Sequence, residues 1–584
     1  MKSKILPLLA VFLISLVSCS ALNIASSSSK EVGVYNLDKL GEEESIDNAY
    51  DMVIEPRFKK NEPYIPYITL KQYASLYESH FHDGVESQYN KTSTSVTWSL
   101  YRNDNLYFIA EINFISKTVR TAGAISSAIK SDSTKDLKAL SYGANTRYEA
   151  DYLSGNGYAE YSFGNQRIKY FSYNNNFYIS LGFLDMTFSS DSGIYFYYNY
   201  QRIVSTSEAD YLAEKSYKVG EKLTNVNQEM TEVVGKQTMP QYLRNYNAYL
   251  FLYFLDNFYG LKKEKGLTSA TNYCKKLGVY NSLFSTNNEI RVQAIADALS
   301  YLDDNHTALI SGFSAWGEEI FTRWTYGDGC KKRSALNKQL TDTRKTVYDN
   351  LSLVPGTDIV YSNDGKTAMF MFDHFSFGTS EQVFNSDDSI KDTAYLYDTF
   401  CSLIRAFNIL KNKGGVENVI LDISTNGGGT VGVMMKILSL ITAYNTSNIY
   451  YLDSSFQELD IATTKIDINN DHQYDTEDCF GDDFNIAIMT SDCSFSAANA
   501  FACNASYQSI APIIGQKPGG GECAVGIHYL PNGEYIYHSS SLHLGYYDTD
   551  FVGFESGVKP VLEIENIDDM YDIEYLNQHV PACF

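Results

Sequence analysis

Two apolar runs of strand length, "VENVILDIS" and "FNIAIMTS", are each followed by a turn and a helix-forming segment, "TVGVMMKILSLITA" and "SAANAFACNA". A strand, a sharp turn and a helix, repeated, restrict the topology severely. Parallel strands need a crossover connection, and a helix is the usual one. "TDIVY" and "KTAMFMFDHFSFG" add strands before them, and "KDTAYLYDTFCSLIRAFNILKNKGG" adds a helix. The pattern predicts an α/β domain over residues 351–584, with its chemistry where strand ends face helix starts.

The hydrophobic period differs upstream. "MPQYLRNYNAYLFLYFLDNFYG" and "NEIRVQAIADALSYLDD" place apolar residues three and four apart, which predicts a helical domain over 206–350. Before it, "NLYFIAEINFI", "RIKYFSY", "NFYISLGFLDMTF" and "GIYFYYNYQRIV" read as strands of a β-rich domain over 50–205, with one short helix at "LKQYASLYESHF". Many of the 48 tyrosines lie here, a composition suited to half-exposed strands. Residues 19–49 are polar and acidic and read as a flexible spacer.

Residues 1–18 read as a signal peptide: two lysines precede an apolar run too short to cross a bilayer comfortably. "LVSC" resembles a bacterial lipoprotein box, which implies cleavage before Cys19 and a lipid anchor there. The alternative is secretion without a lipid. An exported chain permits disulfides, and at least one is expected among Cys479, Cys493, Cys503, Cys523 and Cys583. No CxxC pair or zinc-like spacing occurs, and neither a metal nor a cofactor is expected. The formal charge of −24 argues against a nucleic-acid partner.

Two strand-to-helix corners hold the candidate chemistry. In "SDCSFSAANA", Ser491, Ser494 and Ser496 fall within six residues. A serine at a helix start is an ordinary N-cap; the same place suits a nucleophile, because helix N–H groups there stabilise an oxyanion. In "ILDISTNGGGTVG" the glycines Gly427, Gly428 and Gly429 form a tight turn or bare an N–H. Their spacing fits neither GxGxxG nor a Walker loop, so dinucleotide and nucleoside triphosphate readings fail.

These stretches together resemble peptidase family S41, which includes the tail-specific proteases, the tricorn core and retinoid-binding-protein-like modules. "VILDISTNGGG" resembles the family's strand and glycine turn, "TSDCSFSAANAFA" its nucleophile segment and "PIIGQKPGGG" the strand and turn that follow. "LDDNHTALISG" and "FESGVKPVLEI" resemble the flanking DxHT and ExxGVxPD elements. The resemblance spans roughly residues 288–564. It implies a ClpP/crotonase-like α/β peptidase core, with Ser496 as nucleophile, His306 as base and Glu555 as supporting acid. It also implies an oxyanion hole from Ala497 and from Gly428 or Gly429. The tail-specific branch uses a lysine base; its position here is Gly521, and the nearest lysine is Lys517. The His and Glu positions match the tricorn-like branch instead.

The expected function is a serine-type peptidase acting on extracytoplasmic proteins or peptides through a Ser-His-Glu triad. The alternative is a weak or inactive S41-fold binding or scaffold protein at the cell surface. A third reading, a surface adhesin or carbohydrate binder, rests on the tyrosine-rich first third alone. Asp303 and Asp304 read as helix-end residues. His374 reads as lining a cleft, and His528, His538 and His543 as substrate-side or surface residues on a β-hairpin around "PNG".

Overall fold

The computed structural model describes residues 27–584 apart from 42–43, 131–145, 156, 208–214, 236, 312–315, 317–326 and 387–388. The signal-peptide and Cys19 readings lie outside the described residues. None of the described helices is long and apolar enough to cross a membrane.

The architecture is mixed α/β, with a β-rich N-terminal region, helices after it and a C-terminal core of sheets and helices. The polar stretch expected as a spacer is structured from Ser27. Val32–Asn36 is a strand of a four-stranded sheet with Tyr195–Tyr198, Ile203–Thr206 and Tyr50–Ile54. Its pattern explains this: Val32 and Val34 alternate inward, and Leu37 and Ile46 continue the buried face.

"NFYISLGFLDMTF" is only half strand. Asn176–Ser180 is extended, and Leu181–Ser192 is a helix closed by Gly193 at φ 66°. This helix is buried almost all round, its polar Asp185, Thr187, Ser189 and Ser192 included, so its sequence lacks the one-sided apolar face that separates helix from strand. The tyrosines are largely structural as well. Tyr67, Tyr73 and Tyr77 are fully buried, and the Tyr73 and Tyr77 hydroxyls lie 3.1 Å apart. These rings face the core and not a sugar.

Four helices and eleven strands position the site. They are α1 (Gln241–Asn257), α2 (Asn288–Ser300), β1 (Ala308–Ser311), α3 (Asp328–Leu351), β2 (Val360–Tyr361), β3 (Thr367–Met371), β4 (Asn418–Asp422), β5 (Ser447–Asp453), β6 (Glu458–Ile466), β7 (Asn485–Thr490), α4 (Ala497–Tyr507), β8 (Ile513–Gly515), β9 (Cys523–Tyr529), β10 (Tyr535–Tyr547) and β11 (Leu562–Glu563). One six-stranded sheet has the order β2-β3-β4-β7-β8-β11, parallel from β3 onward. A second sheet brings β6, β5, β10 and β1 together, with β9 pairing β10. The N-terminal strands, α1, α2 and the β9–β10 hairpin share one hydrophobic core. The β-rich and helical regions are therefore continuous in packing. Arg291 and Glu534 pin that hairpin to α2 as a fully buried ion pair, and Asn247 of α1 donates to the same carboxylate at 3.2 Å.

No disulfide joins the eight described cysteines; seven are buried thiols and Cys583 is half-buried. The expected bridge is not seen among the described cysteines, whose thiols meet other groups. Cys503 lies inside α4 with its Sγ on Asn499, whereas Cys523 faces His543.

Candidate active site

β4 and β7 are parallel neighbours, so their C-terminal turns lie side by side. After β4, Asn426 is fully buried. Its Nδ2 donates to Phe372 O at 3.1 Å, and its Oδ1 accepts the Gly428 N–H at 2.8 Å. Gly428 and Gly429 have φ of 112° and 131°, a region that favours glycine. A Cβ on Gly428 would stand 2.8 Å from Ser496 Cβ and 3.1 Å from Ala497 N. The glycine turn thus presses its bare backbone against the corner after β7.

The three serines of that corner differ. Ser491 Oγ donates to Ser424 O and accepts the Cys493 N–H. Ser494 Oγ donates to Ile423 O at 2.7 Å and accepts the Ser491 N–H at 3.0 Å. Both are fully buried. Ser496 is half-buried, and its hydroxyl makes no hydrogen bond among the described residues. It stands immediately before α4 with φ 57° and ψ −125°, and its side chain does not cap the helix. A non-glycine residue held there stores on the order of 1–3 kcal/mol of strain. Phe495 N–H donates to Asn426 O at 3.1 Å and Ser496 N–H to Gly520 O at 2.9 Å, so glycine turns clamp the corner from both sides. Among the described residues the N–H groups of Ala497 and Gly429 have no acceptor, whereas that of Gly428 is used by Asn426.

His306 arrives from the turn between α2 and β1. Its ring meets the Phe495 ring edge-on, with centroids 4.7 Å apart. Asp304, 5% exposed, shapes this turn by accepting the His306 N–H at 3.0 Å and the Thr307 hydroxyl at 2.7 Å. Burial lowers the His306 pKa below the ordinary imidazole value, and Asp304 partly offsets this. Among the described residues His306 Nδ1 is buried without a partner. Asp303 instead caps α3, accepting the Gly329 and Cys330 N–H groups.

Glu555 Oε2 accepts the Gly521 N–H at 2.9 Å and the Glu522 N–H at 3.2 Å. Burial raises its pKa; the N–H groups pull the other way, and Asp304 and Glu522 add to the rise. No hydrogen bond joins Ser496, His306 and Glu555 to one another. A cleft of about 600 Å³ opens beside His306, lined also by Cys330, Arg333, Thr425, Gly427 and Phe495 but not by Ser496 or Glu555.

The lysine position of the tail-specific branch is closed. Gly521 has φ 87°, and a Cβ there would come within 2.5 Å of the Phe495 ring. Lys517 is exposed. Lys517→Ala is expected to leave peptide hydrolysis within about 3-fold of wild type, since exposed side chains away from a site contribute little. A collapse of activity measured on that variant would point to a lysine base.

His374 is exposed and does not line the cleft. His528, His538 and His543 are buried, against expectation. The β9–β10 hairpin lies under α1, where Phe254 packs on both His528 and His538. Among the described residues, Glu522, Cys523 and His543 alone bring three ligand-type atoms within 4.8 Å of one another, and a hydrogen bond already joins Glu522 to His543.

Residues 396–563, which contain both corners and Glu555, match the model of peptidase family S41. That segment is similar to the S41 peptidase domain. The match leaves out His306 and everything before it. No curated protein matches the chain. Among solved structures the chain is similar to a putative peptidase from Parabacteroides merdae, at 16% identity over 54% of this chain and 89% of that one, TM-score 0.36. It is similar to a lipoprotein from Streptococcus agalactiae at 13% identity over 60% and 99%, TM-score 0.35. It is also similar to the tricorn protease, at 10% identity over 95% and 59%, TM-score 0.32. Likenesses this distant assign no residue a role.

Proposed function

We propose that this S41 domain is an active serine peptidase in which Ser496 attacks, His306 takes the proton and Glu555 supports the imidazolium. The observation that carries this reading is Ser496 itself. It alone of the three serines has an uncommitted hydroxyl, on strained backbone at a helix start beside a bare glycine turn. A serine hydroxyl needs a base to become nucleophilic, and His306, its pKa lowered by burial, is neutral at pH 7. Transfer of the Ser496 proton to His306 accompanies attack of Oγ on the scissile carbonyl carbon. The carbonyl oxygen takes the charge and meets the Ala497 and Gly429 N–H groups, with the Gly428 N–H retained by Asn426. His306 returns the proton to the leaving amine, and water repeats the sequence to free the enzyme. Glu555 Oε1, the oxygen not held by Gly521 and Glu522, is the acceptor for His306 Nδ1–H. The core is read as ClpP/crotonase-like and the triad as that of the tricorn-like branch.

The second reading, a binding or scaffold protein on the same fold, draws on the unpartnered His306 Nδ1. Intact-mass measurement of the mature protein after a fluorophosphonate separates the two: one adduct supports the peptidase, and none on folded protein supports the binder.

The substrate is proposed to be an extracytoplasmic protein or peptide, met by a chain exported and held at the outer face of a membrane by lipid on Cys19. One acyl chain binds a membrane only marginally, so a mature N-terminus at Cys19 with more than one acyl chain is expected by mass spectrometry. An unmodified terminus at Ala21 or later would overturn the anchor.

A further inference from the structure

We infer that Glu522, oriented by His543, is a positioning residue that sets where Glu555 stands. This rests on the serine-peptidase reading, in which Glu555 supports His306.

The two glutamates hold each other's backbone. Glu555 Oε2 accepts the N–H groups of Gly521 and Glu522. In return Glu522 Oε2 accepts the Glu555 N–H at 2.7 Å. This reciprocal clasp fastens the loop after Gly553 to the turn that also receives the Ser496 N–H through Gly520 O. The fit is close: a Cβ on Gly553 would lie 2.1 Å from Glu522 Oε2.

Glu522 is itself fixed. It is 4% exposed, and a buried carboxylate needs compensation. Its other oxygen is hydrogen-bonded to His543 Nδ1 at 2.7 Å. His543 Nε2 reaches Ser454 Oγ at 3.2 Å, and Ser454 is tied to Ser541 O. His543 lies on β10 and its contact Cys523 on β9, so the sheet sets the imidazole plane. Both Glu522 oxygens are spoken for, one by a rigid strand and one by the loop bearing Glu555. Without them Glu555 keeps its own two N–H bonds but loses the tether on its backbone. A shift of about 1 Å in a catalytic constellation costs ~10²-fold.

Turnover of a peptide substrate, with kcat and KM separated, is measured for Glu522→Ala, Glu555→Ala and the double variant. Glu522→Ala is expected to lower kcat 10- to 100-fold with KM within about 2-fold. The double variant is expected to be no worse than Glu555→Ala, since Glu522 acts through Glu555. His543→Ala should lose kcat similarly, and His543→Asn should recover most of it, because an asparagine amide nitrogen can occupy the Nδ1 position. Losses that add in the double variant, or an unchanged kcat in Glu522→Ala, overturn the inference. If circular dichroism shows Glu522→Ala unfolded, Glu522→Gln, alone and with Glu555→Ala, gives the same comparison.

Amide hydrogen exchange over residues 553–557 reads the clasp without turnover. Protection of the Glu555 N–H is expected in wild type and should fall at least 10-fold in Glu522→Ala; equal protection in both overturns the clasp. Protection that behaves as expected in a wild-type protein that neither turns over nor takes label overturns the peptidase reading and leaves the clasp standing.

Discussion

Ser496→Ala is expected to remove fluorophosphonate labelling completely and to lower peptide hydrolysis by roughly 10⁶-fold in kcat, the scale of losing a nucleophile from a triad that acts as a unit. The substitution deletes one hydroxyl that makes no hydrogen bond among the described residues, so circular dichroism should match wild type. Ser494→Ala is the control that decides the assignment. Its hydroxyl bridges Ile423 O and the Ser491 N–H in a fully buried position. Losing it leaves buried groups unpaired at ~1–3 kcal/mol, so a lower Tm with label retained is expected. Ser496→Gly adds a further reading. Glycine tolerates φ 57°, so this variant should be as inactive as Ser496→Ala but melt higher. Label on folded Ser496→Ala would place the nucleophile elsewhere.

The C-terminal sheet was legible because its strands are short, β-branched and bounded by glycine or by helices with a clear apolar face. The run around Val419 to Asp422 needed no tertiary knowledge. The N-terminal region was less so. Leu181–Ser192 is buried on nearly all sides, polar residues such as Asp185 and Thr187 included, and a helix without a separate polar face shows no helical period to tell it from strand. Residues 32–49 look like a spacer because their apolar residues are few. Those few alternate, however, and Val32, Val34, Leu37 and Ile46 all point inward.

At the site, the glycines and the serine corner could be found because backbone geometry demands particular residues there. Asn426 and Asp304 were missed as shaping residues. Asn426 stands directly before the glycines, where a short amide can bond its own backbone two residues on, and that was the available signal. Asp304 had its signal in the DxHT resemblance, two residues before His306, but its hold on the His306 N–H and the Thr307 hydroxyl shows only in the fold. Glu522 likewise looked like an ordinary acid after three glycines; its partners, His543 and the Glu555 N–H, come from distant positions. The buried hairpin histidines were misread because hairpin residues usually face solvent, whereas α1 covers this hairpin.

His306→Ala is expected to fall nearly to the level of Ser496→Ala in both labelling and hydrolysis, because members of a triad do not contribute additively. The pH dependence tests the same residue with its sign fixed in advance. The base must be neutral to accept the Ser496 proton. Burial lowers its pKa and Asp304 raises it by less, so the acid limb of kcat/KM should lie below ~6.5, the ordinary imidazole value. Asp304→Asn removes a negative charge that favours the imidazolium while keeping an oxygen for the His306 N–H. The acid limb should therefore move to still lower pH. The plateau should also drop, by ~10-fold for each pKa unit of stabilisation lost by the imidazolium that forms during attack. A limb that moves upward in Asp304→Asn would mean that Asp304 does not act electrostatically on the base. A limb well above 6.5 in wild type, with His306→Ala still active, would mean that the base is not His306. Glu555→Ala should leave more activity than His306→Ala, because an orienting carboxylate tunes the imidazole whereas the imidazole itself carries the proton.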